Sequence, residues 1–424
     1  MSKYFTQLGN GMRVLTEFIP HAESVSLGIW LDRGSRFEAS PENGLFHFIE
    51  HVLFKGTSKR NARQIAEAFD GMGGHVDAHT GKEETCFSFR LRAKHWVQGL
   101  EILGDMLTDP LFAEEDLTRE KQVILEEINM SNDDPEDLVF EIAQQAFWPG
   151  NSLAQPILGT AKHVASFTPE QTRLFFNLHY QPHNMIVAAA GKLDHDVLCQ
   201  KLEKVFPPSN SQTDPGLLTE QPFPTSFKIG KRRQSLEQVS FCWMFPGLPQ
   251  THPQKPALAL LNTLLGGGMS SRLFQKVREE SGLVYHIGSF TGSYLDAGYL
   301  TVYGSCAPEN LEKVTQLAGH EIAFFRESLI SEEELSRARE QCEGGLILAL
   351  ESAGAKAAAL AKAMRYSNQV FDLEEKVKGY STVQPEDILT LSQLVFDSER
   401  MGFSSVGPLK GIPLEKLEIL KKVS

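Results

Sequence analysis

The chain has 424 residues, 41% hydrophobic and 22% charged, and carries a formal net charge of −13. This is ordinary globular composition, long enough for two or more domains with sizeable cores. The acidic balance excludes a global basic footprint for nucleic acid, and no apolar run approaches the roughly 18 residues of a membrane span.

The N-terminal stretch lacks the apolar segment and cleavage site of a secretory signal. Five cysteines (Cys86, Cys199, Cys242, Cys306 and Cys342) are widely spread and form no Cys-x-x-Cys pair. Neither a disulfide framework nor a thiolate zinc site is indicated, and free thiols in a reducing cytoplasm are expected.

Residues Arg13 to Phe18 and Ser24 to Trp30 alternate apolar and polar side chains, predicting half-buried strands. A polar connection then leads into Gly44-Leu-Phe-His47-Phe-Ile-Glu50-His51-Val-Leu-Phe-Lys-Gly56. This reads as a helix, with Ser40 as its cap, Pro41 at a first helical position and Gly56 as its stop. One helical turn separates His47 from His51, so both imidazoles project from one face, with Glu50 beside them. The order His-x-x-Glu-His is that of an inverted zincin motif. Three ionisable groups on an otherwise apolar helix are costly to bury without a metal or other partners.

A second helix is predicted from Ala62 to Phe69, then paired strands over His75 to Thr80 and Glu84 to Leu91. Trp96 to Leu107 and Glu114 to Met130 read as helices, Ser131 to Pro135 as an interruption, and Glu136 to Phe147 as a resumed helix. Met185 to Ala190 suits a buried strand and Asp194 to Phe206 a helix. The run from Pro207 to Gly216 is rich in loop formers and marks the domain boundary. The expected division is an N-terminal metal-binding domain over 1–210, a linker over 211–230 and a homologous domain over 231–424. Gly266-Gly-Gly268 lacks the context of a phosphate loop.

The second half replays the first. Val25-Ser-Leu-Gly-Ile-Trp30 is similar to Val239-Ser-Phe-Cys-Trp243, and Glu115-Asp-Leu-Thr-Arg119 to Glu333-Glu-Leu-Ser-Arg337. The offsets, 239 − 25 = 214 and 333 − 115 = 218, fit a duplication with small insertions. By the first offset His47, Glu50 and His51 correspond to Leu261, Leu264 and Leu265; by the second, Glu127 corresponds to Gly345. Only the first copy keeps a metal motif.

Two histidines do not complete a catalytic zinc site, which takes three protein ligands and one open position. Glu120, Glu126 and Glu127 all lie on the helix after Glu114, and spacing alone does not choose among them. His47-x-x-Glu50-His51 followed 76 positions after His51 by Glu127 resembles the pitrilysin and mitochondrial processing peptidase family. So do Ala78-x-Thr80-x-x-Glu83-x-Thr85, Pro156-Ile-Leu-Gly-Thr160, Tyr180-x-Pro-x-Asn184-Met and Leu265-Gly-Gly-Gly-Met-Ser-Ser-Arg-Leu-Phe274. The length is similar to that of the bacterial processing-peptidase-like members.

The resemblance implies an α+β protein of two homologous domains, each a largely antiparallel sheet packed with helices, facing each other across a chamber. It implies one Zn2+ per chain held by His47, His51 and Glu127, with Glu50 activating the zinc-bound water and Glu120 orienting a ligand. Arg278 and Tyr285 resemble the family's Arg and Tyr pair, donors for substrate and oxyanion. The strand with Asp77, Ala78, His79 and Thr80 resembles the edge on which peptide substrates add as an extra strand. Asp77 stands where the family more often has Asn, which bears on substrate preference.

The expected activity is that of a zinc metalloendopeptidase acting on unfolded or extended peptides. A homodimer is the simplest assembly implied, because one chain carries both the zinc motif and the Arg/Tyr pair; a heterodimer is the alternative. A non-catalytic structural or peptide-binding subunit is the competing class, and it predicts an eroded motif where this one is intact.

Overall fold

The computed structural model describes residues 2–207, 221–412 and 414. In chain order the first half forms β1 (Ser2–Gln7), β2 (Arg13–Phe18), β3 (Ser24–Leu31), α1 (Leu45–Leu53), α2 (Ala62–Gly71), β4 (His75–Thr80) and β5 (Thr85–Arg92). There follow α3 (Trp96–Thr108), α4 (Glu114–Asp133), α5 (Pro135–Phe147), α6 (Ala161–Ser166), α7 (Pro169–His179), β6 (Met185–Gly191) and α8 (His195–Val205). The second half forms β7 (Phe227–Arg232), β8 (Val239–Pro246), α9 (Lys255–Gly266), β9 (Val284–Ser293), β10 (Gly298–Cys306) and α10 (Leu311–Glu327). It ends with α11 (Glu332–Ala349), α12 (Ala353–Ser367), α13 (Leu373–Ser381), α14 (Pro385–Val395) and β11 (Gly402–Gly407).

The two sheets have the strand orders β1-β2-β6-β3-β5-β4 and β7-β11-β8-β10-β9. Set β2, β6, β3, β5 and β4 against β7, β11, β8, β10 and β9, and the orders coincide. Each sheet holds one parallel pair, β2 with β6 and β7 with β11, and is otherwise antiparallel. The duplication read from the sequence is therefore a duplication of topology, with β1 added to the first copy.

The chain divides into two compact units that are not contiguous in sequence. The first takes Met1–Asn129, Gln155–Thr219 and Ala349–Phe371; the second takes Met130–Ala154, Glu220–Leu348 and Asp372–Ser424. A single cut near residue 210 therefore does not describe them. Helix α12 packs on β6, β3 and β2, while α5 packs on β11 and β8, the equivalent strands. The offset between α5 and α12, 353 − 135 = 218, equals that between α4 and α11, 332 − 114 = 218. Each unit thus borrows a helix from the other half of the chain. Of the expected linker, 211–220 lie outside the described residues, and Phe227 to Gly230 belong to β7.

The borrowed helix corrects the reading of β3. The alternation over Ser24 to Trp30 predicted one wet face, yet Val25 to Leu31 are all buried. Val25, Leu27, Ile29 and Leu31 point into the main core with α1 and α3. On the opposite face Leu15, Trp30, Cys86, Ile186 and Ala188 meet Ala357, Leu360, Ala361 and Met364 of α12. The alanine-rich face of α12 permits close approach to that side of the sheet. The second sheet repeats the arrangement, with Cys242, Met244 and Val406 against Leu138, Val139, Ala143 and Phe147 of α5.

Candidate metal centre

Helix α1 is short and strongly one-sided. Leu45, Phe46, Phe48, Ile49, Val52 and Leu53 are buried, whereas His47, Glu50 and His51 form the remaining, half-buried stripe. Its start differs from the sequence reading. Ser40 and Pro41 belong to a separate short 3-10 turn, and the N-cap is Gly44 in the left-handed region at φ 101°. Gly44 has no side chain with which to cap, and an added Cβ there would meet the Gly159 backbone at 2.9 Å.

The cap is supplied by Glu38 instead. Its carboxylate accepts from the backbone N–H of Gly44 and of Phe46, both at 2.8 Å, and from Asn43 Nδ2 at 3.2 Å. Burial pushes the Glu38 carboxyl up to about 8, against the opposing pull of those hydrogen bonds and of Lys82. Asn43 also donates to the Pro156 carbonyl at 2.9 Å, so the Pro156-to-Thr160 segment braces the start of the metal helix. Nothing in the sequence marks Glu38 apart from other acidic residues in polar loops, and this support was not anticipated.

The third partner comes from α4. Glu127 Oε2 lies 3.8 Å from His47 Nε2 and 3.7 Å from His51 Nε2. One donor atom each from His47, His51 and Glu127 falls within 4.8 Å of the others. Of the three carboxylates on this helix, Glu127 is the one grouped with the histidines, while Glu126 is exposed and Glu120 is buried. Ligands about 2.1 Å from a tetrahedral zinc stand about 3.4 Å apart, so this donor set fits zinc with a small contraction.

Glu120, two turns before Glu127 on the same helix face, accepts from Lys55 Nζ at 2.8 Å and meets His51 Nδ1 at 3.3 Å. With Nδ1 on Glu120, the other ring nitrogen of His51 is the one near Glu127. Burial works to lower the pKa of His51, but the Glu120 hydrogen bond and the charges of Glu127 and Glu50 outweigh it and raise it. His47 is held at about 4, first by burial and then by the neighbouring His51. A neutral imidazole is the form that binds a cation. Lys55 follows His51 by four residues and so was legible on the same face.

Glu50 accepts from Thr80 Oγ1 of β4 at 2.5 Å. Burial raises its pKa above the ordinary carboxylate value. Strand β4 pairs only with β5 and ends the sheet, leaving its other edge unpaired among the described residues. Asp77 and His79 are exposed on one face of this edge, while Ala78 and Thr80 are half-buried on the other. Asp77 accepts from the Ala78 N–H at 3.0 Å, and His79 Nε2 lies 3.6 Å from Glu84 Oε1.

Arg278 and Tyr285 belong to the second unit. Arg278 sits on a π-helical turn, Phe274–Glu279, with its guanidinium 4.5 Å from the Phe274 ring and 5.6 Å from that of Tyr285. Tyr285 is the second residue of β9 and is 82% exposed, so it is not a core aromatic. Such π turns recur at functional sites.

Family models match in two segments. Residues 13–161 match the insulinase (peptidase family M16) model, and residues 166–342 match the peptidase M16 inactive domain. The chain belongs to the M16 peptidase family. An uncharacterized zinc protease of Streptomyces coelicolor is 35% identical over 416 residues, spanning 96% of this chain and 89% of the relative. The uncharacterized zinc protease YmxG of Bacillus subtilis is 35% identical over 404 residues, spanning 95% and 98%.

Among solved structures, a protease from Helicobacter pylori superposes with a TM-score of 0.89 at 18% identity, covering 96% of this chain and 99% of that one. A peptidase M16 inactive domain from Pseudomonas fluorescens gives 0.87 at 20%, covering 96% and 98%. These two show the M16 fold of two α+β domains. The segment matching the inactive domain contains Leu261, Leu264 and Leu265, where the first copy has its histidines and Glu50.

Proposed function

We propose that this M16 chain is a zinc metalloendopeptidase that cleaves extended or unfolded peptides. The observation that carries the reading is one arrangement: three zinc-type donors converge on a half-buried helix face whose remaining carboxylate, Glu50, is tied to an open sheet edge. His47, His51 and Glu127 would hold the ion, which when bound lowers the pKa of a coordinated water toward neutrality and polarises a peptide carbonyl.

The rest of the chemistry belongs to the chain. The free edge of β4 offers main-chain N–H and C=O groups over Asp77 to Thr80, to which an extended peptide adds as another strand. That mode accepts many sequences and rejects folded ones. Glu50, its carboxylate held by Thr80, takes a proton from the attacking water and delivers it to the leaving amine. Its raised pKa moves it toward the operating range of a general base. Glu120 keeps His51 turned toward Glu127. Arg278 and Tyr285 serve as cationic and hydroxyl donors to the substrate. The family resemblance implies a dimer, most simply a homodimer because one chain carries both the zinc motif and the Arg/Tyr pair, with a heterodimer as the alternative.

The test is cleavage of a quenched, unstructured peptide library by zinc-loaded protein, beside a chelated sample and Glu50→Gln. Wild type should cut, chelation should stop it, and Glu50→Gln should retain zinc while losing about 10²- to 10⁴-fold in rate. Zinc-loaded wild type that cuts nothing would sink the reading, as would Glu50→Gln at full rate.

A further inference from the structure

The second half of the chain reaches the first unit's open edge through α12, which itself belongs to that unit. At the end of that helix Arg365 and Tyr366 meet the turn that joins β4 to β5. Arg365 Nη1 pairs with Glu84 Oε2 at 2.8 Å, and Nη2 donates to the Glu83 carbonyl. Its Nε pairs with Asp32 Oδ1 at 3.0 Å, which anchors the guanidinium to the end of β3. Tyr366 donates its hydroxyl to Glu83 Oε2 at 2.8 Å, while Arg36 pairs with Glu83 Oε1 at 2.6 Å. The Arg365 side chain is only 6% exposed, and those of Arg36 and Glu83 are 0% and 3% exposed.

Buried charges of this kind add little net stability, because desolvation offsets their attraction. What they do well is fix geometry, since each group has few arrangements that leave it satisfied. The turn so fixed is not remote from the proposed chemistry. It begins immediately after Thr80, whose hydroxyl holds Glu50, and its Glu84 also holds His79 on the exposed face of β4. As the terminal strand of the sheet, β4 has partner-strand hydrogen bonds on one side only. A pin at its end therefore decides where its free edge lies.

We infer that Arg365 is a positioning residue for the peptide-binding edge, acting through Glu84 and Glu83 on the β4–β5 turn. This rests on the reading of β4 as the strand that peptides join. It also gives the borrowed helix a functional reason: the edge is set by residues more than 280 positions further along the chain.

The experiment measures binding apart from cleavage. A fluorescein-labelled unstructured peptide is titrated into zinc-loaded, full-length Glu50→Gln protein, alone and combined with Arg365→Met, Arg365→Lys, Glu84→Gln or Lys356→Met. Lys356 also lies on α12 and pairs with Glu17 of β2 at 2.7 Å. Arg365→Met should weaken the peptide about tenfold, the size of one lost charged hydrogen bond. Arg365→Lys should recover part of that loss, Glu84→Gln should share it, and Lys356→Met should match the parent. Zinc content should stay constant throughout. Where Arg365→Met does not fold, Glu84→Gln carries the test.

Equal affinity in Arg365→Met and its parent overturns the inference, and so does an equal loss in Lys356→Met, which would mean only that α12 docks less firmly. Peptide binding that responds to Arg365 in a protein whose wild type never cleaves would leave this inference standing while the peptidase reading falls.

Discussion

Helices α1 and α9 occupy equivalent places beside sheets of the same strand order, and they have opposite uses. In α9 the corresponding positions are Leu261, Leu264 and Leu265, all buried at 0%, 5% and 0% exposure. In α1 they are His47, Glu50 and His51, none of them fully buried. The helix starts differ as well. A buried carboxylate caps α1, whereas α9 begins at Lys255-Pro256 with no side-chain cap. Gly345 of α11 stands where α4 has Glu127, and an added Cβ there would meet nothing within 4 Å. Room for a third ligand exists in the second copy, but the helix that should face it carries leucines. One scaffold therefore supports either a polar, metal-ready face or a packed one, and side-chain chemistry alone decides which.

The largest expected effect comes from giving α1 the side chains of α9. His47→Leu with His51→Leu should take zinc from one ion per chain to none and reduce peptide cleavage at least about 10⁴-fold. Elemental analysis and the quenched-peptide assay read both, and retained zinc would break the comparison. The reciprocal position tests packing. Leu264→Ala should destabilise the protein by about 2–5 kcal/mol in denaturant unfolding, whereas Glu50→Gln, at the matching site, should change stability by less than about 1 kcal/mol.

A smaller, pH-dependent difference should arise at the helix starts. Glu38 has its folded pKa raised from 4.5 to about 8. A raised value means the folded state holds the proton more tightly, so this contribution is complete below pH 4.5 and is lost as pH rises through 8. Glu38→Gln removes the titration. The wild-type melting temperature should decline from pH 5 to pH 8 relative to the variant; parallel curves would show that Glu38 does not titrate there. The smallest effect is at Gly345→Ala, where open space and a mid-helix position predict a gain of about 0.5–1 kcal/mol. A loss there would reveal a neighbour that the comparison with Glu127 does not anticipate.

Much of this was legible because it is local. The spacing of His47 and His51 puts both on one helix face whatever else the chain does. The alternation in β5 separates Phe87, Phe89 and Leu91 from Cys86 and Ser88 by backbone geometry alone. The leucines of α9 already showed that the second copy lacks the His-x-x-Glu-His motif.

Tertiary structure decided whatever depends on which distant groups meet. Glu120, Glu126 and Glu127 are chemically alike, and only the docking of α4 against α1 brings Glu127 to the histidines and leaves Glu126 in solvent. β3 lost its expected wet face because α12 arrives from more than 300 residues away. The cap on α1 is likewise a loop carboxylate with no local signature. Periodicity is a property of the backbone and can be read from residue order. Burial, pairing and ligand geometry belong to contacts between elements far apart in the chain, so they exist only once the chain has folded.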